Sequence, residues 1–171
     1  MRRNSWVIVC LSLAALATPG FAAEAPPPCS SAEYRQFDFW IGRWDVASPQ
    51  GQVQGSNEIS RALGDCALRE RWKGSQGMSG ESLNSYDATR RMWHQTWVDD
   101  RGTLLTVEGG LRDSSMVMQG VRPGPGGKSV RQRITWTPKS KDEVHQHWET
   151  SSDDGATWTT AFLGVYRRAK P

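Results

Sequence analysis

Apolar and polar residues alternate with a period of two from about position 43 almost to the C-terminus, in runs of five to ten residues. The runs cover 43–47, 52–60, 67–73, 81–86, 91–98, 103–109, 116–121, 129–137, 143–150 and 158–167. Between them lie turn formers such as Ser48-Pro49-Gln50-Gly51, Gly74-Ser75-Gln76-Gly77 and Ser152-Asp153-Asp154-Gly155. The loops are too short for crossover connections, so neighbouring strands pair as antiparallel hairpins. A meander of ten strands leaves two edges unpaired unless it closes, and closure removes both. The expectation is an all-β, about ten-stranded antiparallel up-and-down barrel, with a two-sheet sandwich as the alternative. Ahead of the strands, Ser30 as N-cap with Glu33 three residues on predicts a short helix through about Phe37.

The N-terminus has a different grammar. Arg2 and Arg3 precede an apolar run from Trp6 to Leu16, then Pro19, Gly20 and Ala22-Ala23, the three-part pattern of a cleavable export signal. The run is shorter than the ~20 residues of a spanning helix, and no later segment is apolar enough for a stable membrane span. The predicted organisation is a signal peptide over 1–23, a Pro-rich linker over 24–30 and a single barrel domain over 31–171. The mature protein is then expected in the periplasm or secreted. Of the three cysteines, Cys10 lies within the signal, and Cys29 and Cys66 form an even pair for an oxidising compartment. A Cys29–Cys66 disulfide follows, with two unrelated small residues as the alternative.

Charge narrows the partners. Lys and Arg total 21 against 18 Asp and Glu, and loss of Arg2 and Arg3 leaves 19 against 18. That balance gives no electrostatic case for nucleic acid or an anionic membrane surface. Nine Trp is a large number for 171 residues, and eight remain after loss of Trp6. They must line a core, a cavity or a binding surface.

The stretch Phe37-Asp38-Phe39-Trp40-Ile41-Gly42-Arg43-Trp44 runs a short helix into the first strand through Gly-x-Trp. It resembles the calycin superfamily, where that Trp plugs the closed end of the barrel and a basic residue of the last strand packs across it. The resemblance implies a structural role for Gly42 and Trp44, with Arg167 and Arg168 after Tyr166 as the basic candidates. The longer Phe-x-Phe-Trp-x-Gly-x-Trp string is similar to the opening of a family of exported bacterial barrels known only as a domain of unknown function. Tyr86-Asp87, Trp93-His94-Gln95-x-Trp97-Val98-Asp99 and Gln146-His147-Trp148-Glu149 extend the likeness over nearly the whole mature chain. It implies a barrel and an exported location, and no catalytic residue.

Alternation also assigns faces. Trp93, Gln95 and Trp97 share one side of their strand, as do Gln146 and Trp148, and the Trp-bearing sides are expected to face in. The same reasoning turns Glu70, Trp72, Asn84 and Tyr86 inward, and Asn57 joins the polar interior set. These ten residues are the candidate ligand-binding interior. Buried polar groups must be paired, so they form a network among themselves or meet a ligand or water. In the phase favoured for the eighth strand, Gln132, Ile134 and Trp136 face in and Arg131 and Arg133 out. The three His fall on outward faces, so no metal or other cofactor is expected. Ser151-x-Asp153-x-Gly155-x-Thr157-Trp158 resembles the Asp-box of sialidase-like propellers, but a single copy reads as a hairpin device.

No nucleophile elbow or paired-carboxylate context marks a catalytic centre, so the catalytic residues are left open and the balance is against an enzyme. The leading expectation is an exported barrel that binds a small apolar or amphipathic molecule in a Trp-lined interior. Two alternatives stand beside it: an enzyme using Glu70 as acid or base, and a ligand-free structural or partner-binding barrel.

Overall fold

The computed structural model describes residues 26–170; the expected signal, the first two residues of the linker and Pro171 lie outside the described residues. Ten strands form where the alternation predicts them: β1 Gly42–Ala47, β2 Val53–Ala62, β3 Ala67–Gly74, β4 Ser79–Asp87, β5 Met92–Asp99, β6 Leu104–Arg112, β7 Ser115–Pro123, β8 Ser129–Ser140, β9 Glu143–Ser151 and β10 Thr159–Arg168. Each pairs antiparallel with its sequence neighbours, and β1 pairs with β10, so the sheet closes into a barrel. The closing register sets Trp44 beside Arg168 and Val46 beside Tyr166. A barrel is therefore observed, and the sandwich alternative falls away, because β1 supplies β10 with the partner that an open meander would lack. Among the described residues, no helix is long and apolar enough to cross a membrane.

The N-terminal segment differs in detail from the expected helix. It folds as two single turns of 3₁₀ helix, Ala32–Arg35 and Asp38–Trp40. Ser31 stands at the N-cap, and its hydroxyl bonds the Glu33 carboxylate (2.6 Å) instead of a backbone amide. So few residues cannot propagate an α-helix alone; aromatic docking holds the turns in place. Phe37 stacks on Trp40 with centroids 4.9 Å apart and meets Trp93 and Trp136 edge-on. The Trp93 indole N–H donates to Gln36 Oε1 (3.1 Å). Cys29 and Cys66 form the expected disulfide, which ties the leader to the β2–β3 turn.

The turns thus cover one end of the barrel, where β2 ends and β3 begins. Beneath them Trp44 is fully buried and donates its indole N–H to Trp40 O (2.9 Å). The Arg168 guanidinium lies 4.4 Å from the Trp44 ring centre, a cation–π contact. A Cβ on Gly42 would sit 2.2 Å from Arg168 Nη1, and the φ of +146° also favours glycine, which explains the Gly-x-Trp spacing. Arg167, expected as an equal candidate, points to the outer surface and pairs with Glu143 (3.2 Å). The reason is parity: Arg168 shares its side of β10 with Tyr166, and Arg167 does not.

Alternation fails locally at bulges. Strict alternation along β2 places Val53 on the same face as Asn57, yet Val53 is 73% exposed while Asn57 is buried. The register shift between Val46 and Ala47 opposite this segment breaks the period. Among the polar turns, the Asp-box hairpin behaves as its chemistry predicts. Asp153 accepts from the Thr157 amide (2.9 Å), Gly155 takes φ +95°, and the Trp158 indole donates back to Gly155 O (3.1 Å). Four hydrogen bonds from Thr157 and Ser151 and from nearby amides hold the exposed Asp153 carboxyl down at about 2.

Candidate functional site

Inward-facing residues of the middle strands build a polar layer across the barrel. Glu70 on β3 is its centre: Asn57 Nδ2 donates to Oε1 (2.7 Å) and Ser82 Oγ donates to Oε2 (2.6 Å). The chain of bonds continues outward along β4 and β5. Asn84 Nδ2 donates to Ser82 Oγ (2.9 Å), and Gln95 Nε2 donates to Asn84 Oδ1 (2.8 Å). On the opposite side of the layer Tyr166 donates its hydroxyl to Gln146 Oε1. Asn57, Glu70, Ser82, Asn84 and Gln95 are all buried, so the network pairs groups that would otherwise cost about 1–3 kcal/mol each, with Asn57 Oδ1 left unpartnered.

Among the described residues, no basic side chain enters this network. β2 turns Asn57 and Ile59 toward Glu70, β4 turns Ser82 and Asn84, β5 Gln95, β9 Gln146 and β10 Tyr166. The basic neighbours on β3, Arg69 and Arg71, face out and pair with Glu81 and Glu58, both at 2.7 Å. Burial consequently raises the Glu70 carboxyl from 4.5 to about 7, against the pull of the Ser82 and Asn57 bonds. Burial also raises the Tyr166 hydroxyl, and the nearby Glu70 charge adds to it.

Above the polar layer lies a cavity of about 110 Å³. Glu70, Gln95, Gln146 and Tyr166 supply its polar lining. Trp72, Trp97, Trp148 and Phe162 supply aromatic walls, with Leu105 and Ile134 between them. Met78, from the β3–β4 turn, places the mouth at the end of the barrel opposite the 3₁₀ turns. Two glycines make room for the rings. A Cβ on Gly80 would fall 2.3 Å from Trp97 Cζ2, and one on Gly164 would meet the Phe162 ring at 2.7 Å and Tyr166 at 3.0 Å. The Trp148 indole N–H is held by Gln132 Oε1 (2.8 Å), which fixes that wall.

Six of the ten candidate interior residues line this cavity: Glu70, Trp72, Gln95, Trp97, Gln146 and Trp148. Asn57 and Asn84 sit behind it in the network, and Tyr86 and Trp93 lie under the 3₁₀ turns, where Tyr86 packs edge-on against Tyr34 at 5.3 Å. Alternation gives a face but not a height along the barrel, and these four share the face at the wrong depth. Residues absent from the candidate set are Met78, Leu105, Ile134, Phe162 and Tyr166. Phe162, Gly164 and Tyr166 alternate together on β10, in unbroken register with Trp148, Gln146 and Val144, so the alternation of that strand could have found both rings.

The three His are on the outer surface, where His94 meets Glu108 (3.0 Å) and His145 meets Glu143 (2.7 Å). Among the described residues, no group of three or more His, Cys, Asp or Glu side chains is placed to hold a metal ion.

A family model described as a protein of unknown function (DUF1579) matches residues 35–168, from the first 3₁₀ turn to the end of β10, and the chain belongs to that family. None of the curated proteins matches the chain.

Proposed function

We propose that this DUF1579 barrel, calycin-like in its Gly-x-Trp plug, is an exported protein that binds one small amphipathic molecule in the cavity between the Glu70 layer and the mouth. The observation that carries this reading is the split lining: a polar floor of Glu70, Gln95 and Gln146 under walls of Trp72, Trp97, Trp148 and Phe162. Apolar walls with a few convergent polar groups are the usual chemistry of a ligand site. The volume limits the guest. A cavity of about 110 Å³ is smaller than the ~150 Å³ apolar cavity that takes up benzene, so a fatty acid is too large and a molecule of roughly four to six heavy atoms fits. Export is supported by the signal-like N-terminus and by the Cys29–Cys66 disulfide.

Titration of the mature protein with cyclopentanol, n-butanol and n-butylammonium tests the reading. Saturable change in Trp fluorescence is expected with at least one of them, because a guest displaces water beside three indoles. Leu105→Phe, which fills the cavity from its wall, should abolish the response while leaving the far-ultraviolet dichroism unchanged. No response to any of the three, or a response untouched by Leu105→Phe, overturns the proposal.

One observation favours a second reading. A carboxyl at about 7 is poised for proton transfer near neutral pH, so Glu70 suits a general acid or base if the guest is a substrate. Turnover of a bound guest, lost in Glu70→Gln, would distinguish this enzyme from a carrier.

A further inference from the structure

We propose that the guest is a small organic cation, a protonated amine or a methylated ammonium, with its charge against the Glu70 carboxylate and its carbons against the aromatic walls. This rests on the reading of the cavity as a ligand site and names the chemistry of the guest. Four features of the cavity support it. Among the described residues, Glu70 is the one carboxyl that lines the cavity, and no Lys, Arg or His lines it. Its oxygens accept one bond each, from Asn57 and Ser82, which leaves about two of roughly four acceptor positions for a guest. Trp72, Trp97, Trp148 and Phe162 surround the space, and aromatic faces attract a cation through the ring quadrupole, Trp most strongly. Finally, Gln95 commits its N–H₂ to Asn84 and Gln146 accepts from Tyr166, so Gln95 Oε1 is a further acceptor at the floor.

A buried carboxylate without a countercharge is costly, and a bound cation supplies the charge that the fold omits. The same logic works against an anionic guest, which would meet Glu70 and the electron-rich ring faces. A neutral alcohol gains the aromatic walls but leaves the carboxylate uncompensated.

Proton linkage makes this measurable. The acid form of Glu70 predominates below about 7 and must lose its proton to pair with a cation, so binding of n-butylammonium should strengthen as pH rises and level off above 7. Each unit of pH below 7 should weaken it by up to about tenfold, and binding at pH 7 should release about half a proton. Calorimetry in two buffers of different ionisation enthalpy at pH 7 reads the proton directly in the unaltered protein. Glu70→Gln should weaken n-butylammonium at pH 8.5 by at least about tenfold and erase its pH dependence, while n-butanol, similar in size and neutral, should change by less than about threefold.

If n-butanol binds as tightly as n-butylammonium at pH 8.5, or no proton is released, the cation assignment is wrong and the amphipathic site stands. Binding by neither, nor by cyclopentanol, refutes both. Loss of both ligands in Glu70→Gln with an altered dichroism spectrum would shift the decision to the two-buffer measurement, where absence of proton release overturns the assignment.

Discussion

Replacing Glu70 by Gln should make the domain more stable at alkaline pH, although it alters a buried, doubly hydrogen-bonded side chain. In the folded protein the carboxyl sits at about 7; in the unfolded chain it returns to 4.5. Between those values the native state holds more protons than the unfolded state, so stability falls as pH rises. Below 4.5 both states are protonated and the group contributes nothing; above 7 the penalty is complete. At about 1.4 kcal/mol for each tenfold change in proton affinity, it amounts to about 3 kcal/mol.

Gln is isosteric and removes the charge while keeping an acceptor for Asn57 or Ser82, and its N–H₂ can donate to Ser82 Oγ. Urea unfolding of disulfide-intact mature protein at half-unit intervals from pH 4.5 to 8.5 is the assay. The difference between variant and wild type should open from near zero at pH 4.5 to about 2–3 kcal/mol in favour of the variant at pH 8, with equal m-values. All other titrating groups cancel in that difference. A constant difference across the range, or a variant less stable at pH 8, would show that the carboxylate is compensated by something other than the neutral groups around it.

The plug predicts an ordered series of three losses. Trp44→Ala should cost about 3–5 kcal/mol, Arg168→Ala about 1–2 for its ring contact and its bonds to Lys141 O and Asp142, and Arg167→Ala under about 0.5. Thermal melts of the three variants check the order, and equal effects at the two arginines would contradict the packing. The disulfide closes a loop of 37 residues, so reduction should destabilise the domain by about 4 kcal/mol in the chain-entropy model. Protein recovered from its native compartment should begin after about residue 22 and show no free thiol before reduction, as intact-mass measurement with and without reductant would reveal.

Ten strands, their antiparallel order and the inward faces of β3, β5, β8 and β9 were legible in the sequence because they depend on short-range chemistry. A period of two states which side a residue occupies, and Pro, Gly and Asp state where a run must stop. The disulfide and the pairing of Gly42 with Trp44 were legible for similar reasons, as a count and a local spacing. What required the tertiary structure was everything set by the third dimension of the barrel. The choice between Arg167 and Arg168, and the depth that puts Tyr86 and Trp93 under the 3₁₀ turns and Trp72, Trp97 and Trp148 around the cavity, depend on how far each strand slides past the next. The bulge opposite Val46 and Ala47 resets the period of β2 and exposes Val53. The sequence alone shows a glutamate on an inward face; only closure shows that ten strands bring amides, hydroxyls and indoles around it and no positive charge. Register and closure are sums over the whole sheet, and no local window of residues contains them.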